Sequence, residues 1–159
     1  MRTFLAFVCL LATVILVPGA RAKNATATLT GANQVPPLTT TASGTWEAEE
    51  TEGGLGKWTL TIKNANEVIM AHIHQGSAGQ NGPVVLQLVP ENATQPKLTT
   101  PASGPMLEYT GDITTGNLTG PLASKKVADL IALMKKNDTY VNVHTVAHPD
   151  GEIRGQIVY

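Results

Sequence analysis

KWTLTI, residues 57–62, places Trp58, Leu60 and Ile62 on one parity and Thr59 and Thr61 on the other. A period of two is what a strand with one buried and one wet face requires, because successive side chains leave it on opposite sides. The same alternation runs through ATLTGA (27–32), GTWEAE (44–49), VVLQLV (84–89) and EIRGQIVY (152–159). Turn-forming clusters punctuate these runs: VPP at 35–37, EGGLG at 52–56, NGP at 81–83 and DG at 150–151. Seven or eight short strands of this kind predict an all-β domain, a sandwich or a barrel.

One segment departs from that period. Within ASKKVADLIALMKK, Val127, Leu130, Ile131 and Met134 recur at helical spacing. Ser124 is available as the N-cap, and Lys135 and Lys136 stand where a helix C-terminus favours cations. One short amphipathic helix over about 124–136 is expected, its apolar stripe packed on the β-core.

The N-terminal stretch reads as a targeting signal. MRTFLAFVCLLATVILVPGARA has a basic Arg2, an apolar run from Phe4 to Val17, a breaker at Pro18 and a small-x-small ending at Ala20 to Ala22. That is the pattern of a secretory signal peptide over 1–22, leaving a single domain at 23–159; a retained anchor is the alternative. The lone cysteine, Cys9, falls in this leader, so the mature chain has no disulfide to make. Loss of Arg2 and Arg21 takes the formal net charge from −1 to −3. With no basic patch, nucleic acid is not an expected partner, and after signal cleavage no membrane partner is expected. Asn-x-Ser/Thr sequons at Asn24, Asn92, Asn117 and Asn137 fit a secreted glycoprotein, with Asn92, Asn117 and Asn137 the expected acceptors.

All four histidines fall in two clusters, His72 and His74 in AHIH, and His144 and His148 in YVNVHTVAHPDGEIRGQI. Two apart on a strand, His72 and His74 share a face about 7 Å apart. Ile69, Ala71 and Ile73 take the opposite, buried face. In the second block Val141 and Val143 point inward while Asn142 and His144 point outward. If the strands are neighbours, His72, His74, His144, Arg154 and Gln156 form one polar face. The loop 75–83 would cover it, and His148 would swing in as a fourth ligand. Neutral imidazoles without thiolates suit copper or zinc. A hydrogen-bonded structural cluster is the competing reading, with Glu152 and Arg154 as a cross-strand ion pair.

Three blocks, LTGANQVPP (29–37), AHIHQGSAGQNGPVV (71–85) and YVNVHTVAHPDGEIRGQI (140–157), resemble the signature blocks of the CHRD domain family, and the resemblance covers essentially the whole mature chain. It implies an extracellular, immunoglobulin-like or Greek-key β-sandwich and no settled activity. A more distant likeness is to the copper/zinc superoxide dismutases. There His72 and His74 match the paired copper ligands, His144 the later ligand, and Arg154 the arginine that steers an anion to the metal. The chain departs from that pattern in lacking a bridging histidine, the zinc aspartate and the disulfide.

Three functions follow as expectations. The first is a secreted module holding copper or zinc on a histidine face, with an extracellular protein or glycan as a further partner. The second is a copper-only dismutase with Arg154 as its catalytic anion guide. The third is a structural or adhesive extracellular module without metal. The elbow G-x-S-x-G of serine hydrolases is absent. The acidic run Glu47, Glu49, Glu50 and Glu52 reads as a solvated strand edge, not a paired-carboxylate site.

Overall fold

The computed structural model describes residues 24–52, 54–90, 97–99 and 106–159. The leader over 1–22 and the sequon at Asn92 lie outside them. Among the described residues nine strands are formed: β1 (Asn24–Thr30), β2 (Ser43–Thr51), β3 (Gly54–Lys63), β4 (Val68–Gln75), β5 (Val84–Val89), β6 (Lys97–Thr99), β7 (Met106–Asp112), β8 (Thr139–Thr145) and β9 (Ile153–Gln156). One α-helix of the described residues, α1 (Val127–Met134), lies between β7 and β8 in the chain.

The strands hydrogen-bond in the order β5-β4-β8-β9-β1-β2-β3-β7-β6, every pairing antiparallel. Val85 and Leu86 near one end and Tyr109 near the other nevertheless share one hydrophobic core with Trp46, Leu60, Val141 and Ile153. Flat, nine strands spaced about 4.8 Å apart would hold these residues tens of ångströms apart. The sheet therefore wraps around a single core, as the strong twist of antiparallel strands allows. The expected all-β architecture with one short helix stands.

The stretch 57–62 behaves as its alternation requires. Trp58, Leu60 and Ile62 are buried, and Thr59 and Thr61 lie on the half-exposed face. Burial of side chains this size contributes about 1.5–3 kcal/mol each. The acidic run needs correction: Glu47 and Glu49 are exposed, but β2 is paired on both sides, so they occupy the solvent face of an interior strand, not an edge.

The helix is shorter than expected at its start. Ser124 sits at φ 62°, in the left-handed region, and cannot cap it. Lys126 is the N-cap residue, and its backbone N–H donates to Asp129 Oδ2 at 2.9 Å. An acidic side chain in the first turn satisfies an orphan donor and suits the dipole, so Asp129 takes over the role expected of Ser124. Leu130, Ile131 and Met134 are buried, as the helical spacing predicts. Val127 and Ile131 pack over Gly54, where a Cβ would stand 3.3 Å from Val127 Cγ1.

Candidate metal centre

Strand β4 lies between β5 and β8, and β8 lies between β4 and β9. The register sets Met70 opposite His144, His72 opposite Asn142, and His74 opposite Tyr140. On the other side of β8, Asn142 faces Arg154 and Tyr140 faces Gln156. Ala71, Ile73, Val141, Val143 and Ile153 take the alternate positions and are all 0 % exposed. The period of two thus sends five apolar side chains inward and gathers His72, His74, His144, Tyr140, Asn142, Arg154 and Gln156 on the other face.

The strand pairing brings three histidines together. Ring centroids are 5.1 Å apart for His72 and His144, 5.8 Å for His72 and His74, and 6.2 Å for His74 and His144. One nitrogen from each ring lies within 4.8 Å of those of the other two.

Backbone carbonyls set the tautomers. His74 Nδ1 is 2.9 Å from the Gly82 carbonyl, and His144 Nδ1 is 2.9 Å from that of Pro149. A carbonyl only accepts, so each Nδ1 carries the proton and each Nε2 keeps its lone pair. Both Nε2 atoms are buried without a hydrogen-bond partner, and so is Nδ1 of His72. An unsatisfied buried polar atom costs about 1–3 kcal/mol, and buried polar groups in folded proteins are ordinarily paired. Three such nitrogens, from three rings that meet, fit one cation bound by imidazoles.

Charge at the site points the same way. Burial, then the neighbouring His144 and His74, lowers the His72 pKa to about 4. Burial also lowers those of His74 and His144, against the opposing carbonyl bonds from Gly82 and Pro149. The rings are therefore neutral at physiological pH, the state in which imidazole binds a metal without first losing a proton.

The other predicted site residues take different partners. His148 does not join the cluster: it belongs to the turn after β8, where its backbone N–H donates to Thr145 O and its carbonyl accepts from Gly151. That turn delivers the Pro149 carbonyl to His144 instead of the His148 ring. The Glu152–Arg154 ion pair does not form. Glu152 is buried and accepts from the hydroxyls of Thr40 at 2.6 Å and Thr145 at 2.8 Å. Arg154, 2 % exposed, is turned toward the loop over the face. Its Nη1 donates to Asn81 Oδ1 at 3.0 Å, and its Nη2 to the carbonyls of Gln80 at 2.7 Å and Ser77 at 3.3 Å. Its Cζ stands 3.4 Å from the centroid of the Tyr140 ring.

The sequence reading missed Tyr140, Gly82 and Pro149. Tyr140 stacks on His74, with centroids 4.9 Å apart and planes 8° from parallel. Its parity with Asn142 and His144 was the available signal. Gly82 and Pro149 act through carbonyls, which no side chain announces. Of the sequons, Asn137 is exposed, while Asn117 Oδ1 accepts from the backbone N–H and hydroxyl of Thr114.

Fold and site together define a class: an antiparallel β-domain with a trihistidine cluster built across two paired strands. The chain belongs to the CHRD domain family, whose family model matches residues 25–157, nearly its full length. No curated protein and no solved structure matches it.

Proposed function

We propose that this protein is an exported CHRD module that holds one copper or zinc ion on His72, His74 and His144. The observation that carries this reading is a buried ring nitrogen without a partner on each of three histidines whose rings can bring one ligand atom apiece within 4.8 Å of one another. Desolvation keeps the rings neutral, and the Gly82 and Pro149 carbonyls orient two of them, an outer-shell arrangement that tunes metal-binding histidines. Copper, if bound, would supply one-electron chemistry, whereas zinc would act as a fixed charge. The leader-like segment at 1–22 supports export, and the sequons at Asn92, Asn117 and Asn137 support glycosylation in a eukaryotic secretory route. No helix of the described residues is long and apolar enough to cross a membrane.

Elemental analysis tests the reading. Stoichiometric copper or zinc in purified protein is expected, with loss in both His74→Ala and His144→Ala. A wild type that stays metal-free after incubation with either ion overturns it. Superoxide turnover by copper-loaded protein then distinguishes an oxidoreductase from a binder.

A further inference from the structure

Arg154 is the most deeply buried cation of the described residues, and no carboxylate faces it. Burying a guanidinium is costly unless its donors are satisfied. Here two backbone carbonyls and one amide take three of them, and all of these acceptors lie in the loop 76–83. The same loop supplies the carbonyl that His74 bonds. Asn81 also donates through Nδ2 to Val35 O at 2.9 Å, so the loop is held from a second side.

The contacts close into a circuit. Arg154 holds Ser77, Gln80 and Asn81, and the next residue, Gly82, presents its carbonyl to His74 Nδ1. The Gly82 N–H in turn donates to the Tyr140 hydroxyl at 3.1 Å. The Tyr140 ring stacks on His74 and carries the Arg154 guanidinium. A side chain at Gly82 would run into the Gln75 carbonyl, so the close return of this loop onto the end of β4 requires glycine. Every path from Arg154 within this network ends on the orientation of one imidazole.

We propose that Arg154 is a positioning residue for the histidine cluster: by clamping the loop 76–83 and the Tyr140 ring it fixes His74 as the Nδ1–H tautomer, with Nε2 aimed at the site. The role rests on the metal reading for its purpose but not for its geometry. It differs from that of an anion guide, which must present its charge to an incoming ion. The fork matters, because a planar guanidinium can reach Asn81 and Gln80 together while lying on a ring, and an ammonium cannot.

The test is read first in metal-free protein, by nitrogen-15 NMR of the histidine rings. In the wild type, His74 and His144 are both expected as Nδ1–H tautomers. In Arg154→Gln, His74 is expected to become a mixture of tautomers, while His144, held by Pro149 on a different loop, stays unchanged as an internal control. Arg154→Lys should restore the Nδ1–H tautomer only in part. Asn81→Ala removes one contact of the clamp and should shift His74 the same way, less far, which keeps the question open to test if Arg154→Gln fails to fold. A His74 that remains wholly Nδ1–H in a folded Arg154→Gln, or in Asn81→Ala if Arg154→Gln does not fold, overturns the proposal. Copper titration follows, with about a 10–100-fold weaker affinity expected for Arg154→Gln, the size of effect typical of outer-shell ligand supports. A tautomer shift in a protein that binds no metal would sink the proposed function and leave the positioning role standing; metal binding without a tautomer shift would do the reverse.

Discussion

Acidification of the metal-free protein probes the histidine cluster directly. His72 has a pKa of about 4 in the folded chain against an ordinary 6.5, chiefly because burial penalises its charged form. Between those values the unfolded chain binds a proton that the folded chain refuses, so stability rises with pH across the window. Above pH 6.5 the contribution is fully present; it is lost as pH falls toward 4, and below that both states are protonated. Each tenfold difference in proton affinity between the two states is worth about 1.4 kcal/mol, so the linkage removes about 2 kcal/mol between pH 7 and pH 5. For a domain of this size that corresponds to a fall in Tm of about 4–8 °C. His74 and His144, also shifted down, add to the loss with the same sign. The assay is thermal or urea unfolding at pH 7, 6 and 5, with wild type and His72→Gln measured side by side so that other titrating groups cancel. The wild type should lose about 2 kcal/mol more than the variant. A difference between the two that does not change with pH, or that grows in the wild type's favour as pH falls, refutes the reasoning.

Other perturbations have equally definite outcomes. Gly82→Ala drives a methyl group into the Gln75 carbonyl, so it should displace the loop, weaken metal binding by about tenfold or more and lower Tm, as metal titration and calorimetry would register. Ile73→Ala, at a position 0 % exposed between the histidines, should cost about 2–5 kcal/mol in urea unfolding. Glu152→Ala strips the acceptor from the Thr40 and Thr145 hydroxyls and should cost about 1–3 kcal/mol by the same measurement. Expression in a eukaryotic secretory host should yield a ladder of glycoforms that loses one step in Asn137→Gln, checked by mass spectrometry.

Much of the architecture was legible because one physical rule, alternation on a half-buried strand, governs it. The parity of Trp58, Leu60 and Ile62 placed that strand, and the same parity turned His72 and His74, His144, and Arg154 and Gln156 outward each on its own strand, while their union into one face waited on the strand pairing. The errors arose where that rule is silent. The direction of the turn after β8 decides whether the His148 ring or the Pro149 carbonyl meets the cluster, and a turn's exit vector depends on backbone angles that Pro and Gly permit without specifying. Ser124 has the chemistry of a cap, but an acidic residue at Asp129 captures the helix start from the other side. Arg154 lies on the face that its parity assigns, yet its partners are mainly main-chain carbonyls contributed by a loop more than seventy residues away.

The two carbonyls that orient the cluster each come from the segment following the histidine's own strand, eight residues on for His74 and five for His144. Each such ring is thus oriented locally, by chain that folds beside it, while the meeting of the three rings is nonlocal and waits on the pairing of β4 with β8. His72 has no such carbonyl on Nδ1. Its ring packs against the other two, and burial first, then both of those neighbours, push it toward neutrality. A bound cation would therefore do most for His72: it would give a partner to the unpaired nitrogen of the one ring in the cluster that no carbonyl orients. The expected signature is selective, with metal addition quenching ring motion at His72 by NMR relaxation far more than at His74 or His144. Equal quenching at all three rings would mean that the carbonyls do not pre-orient the site.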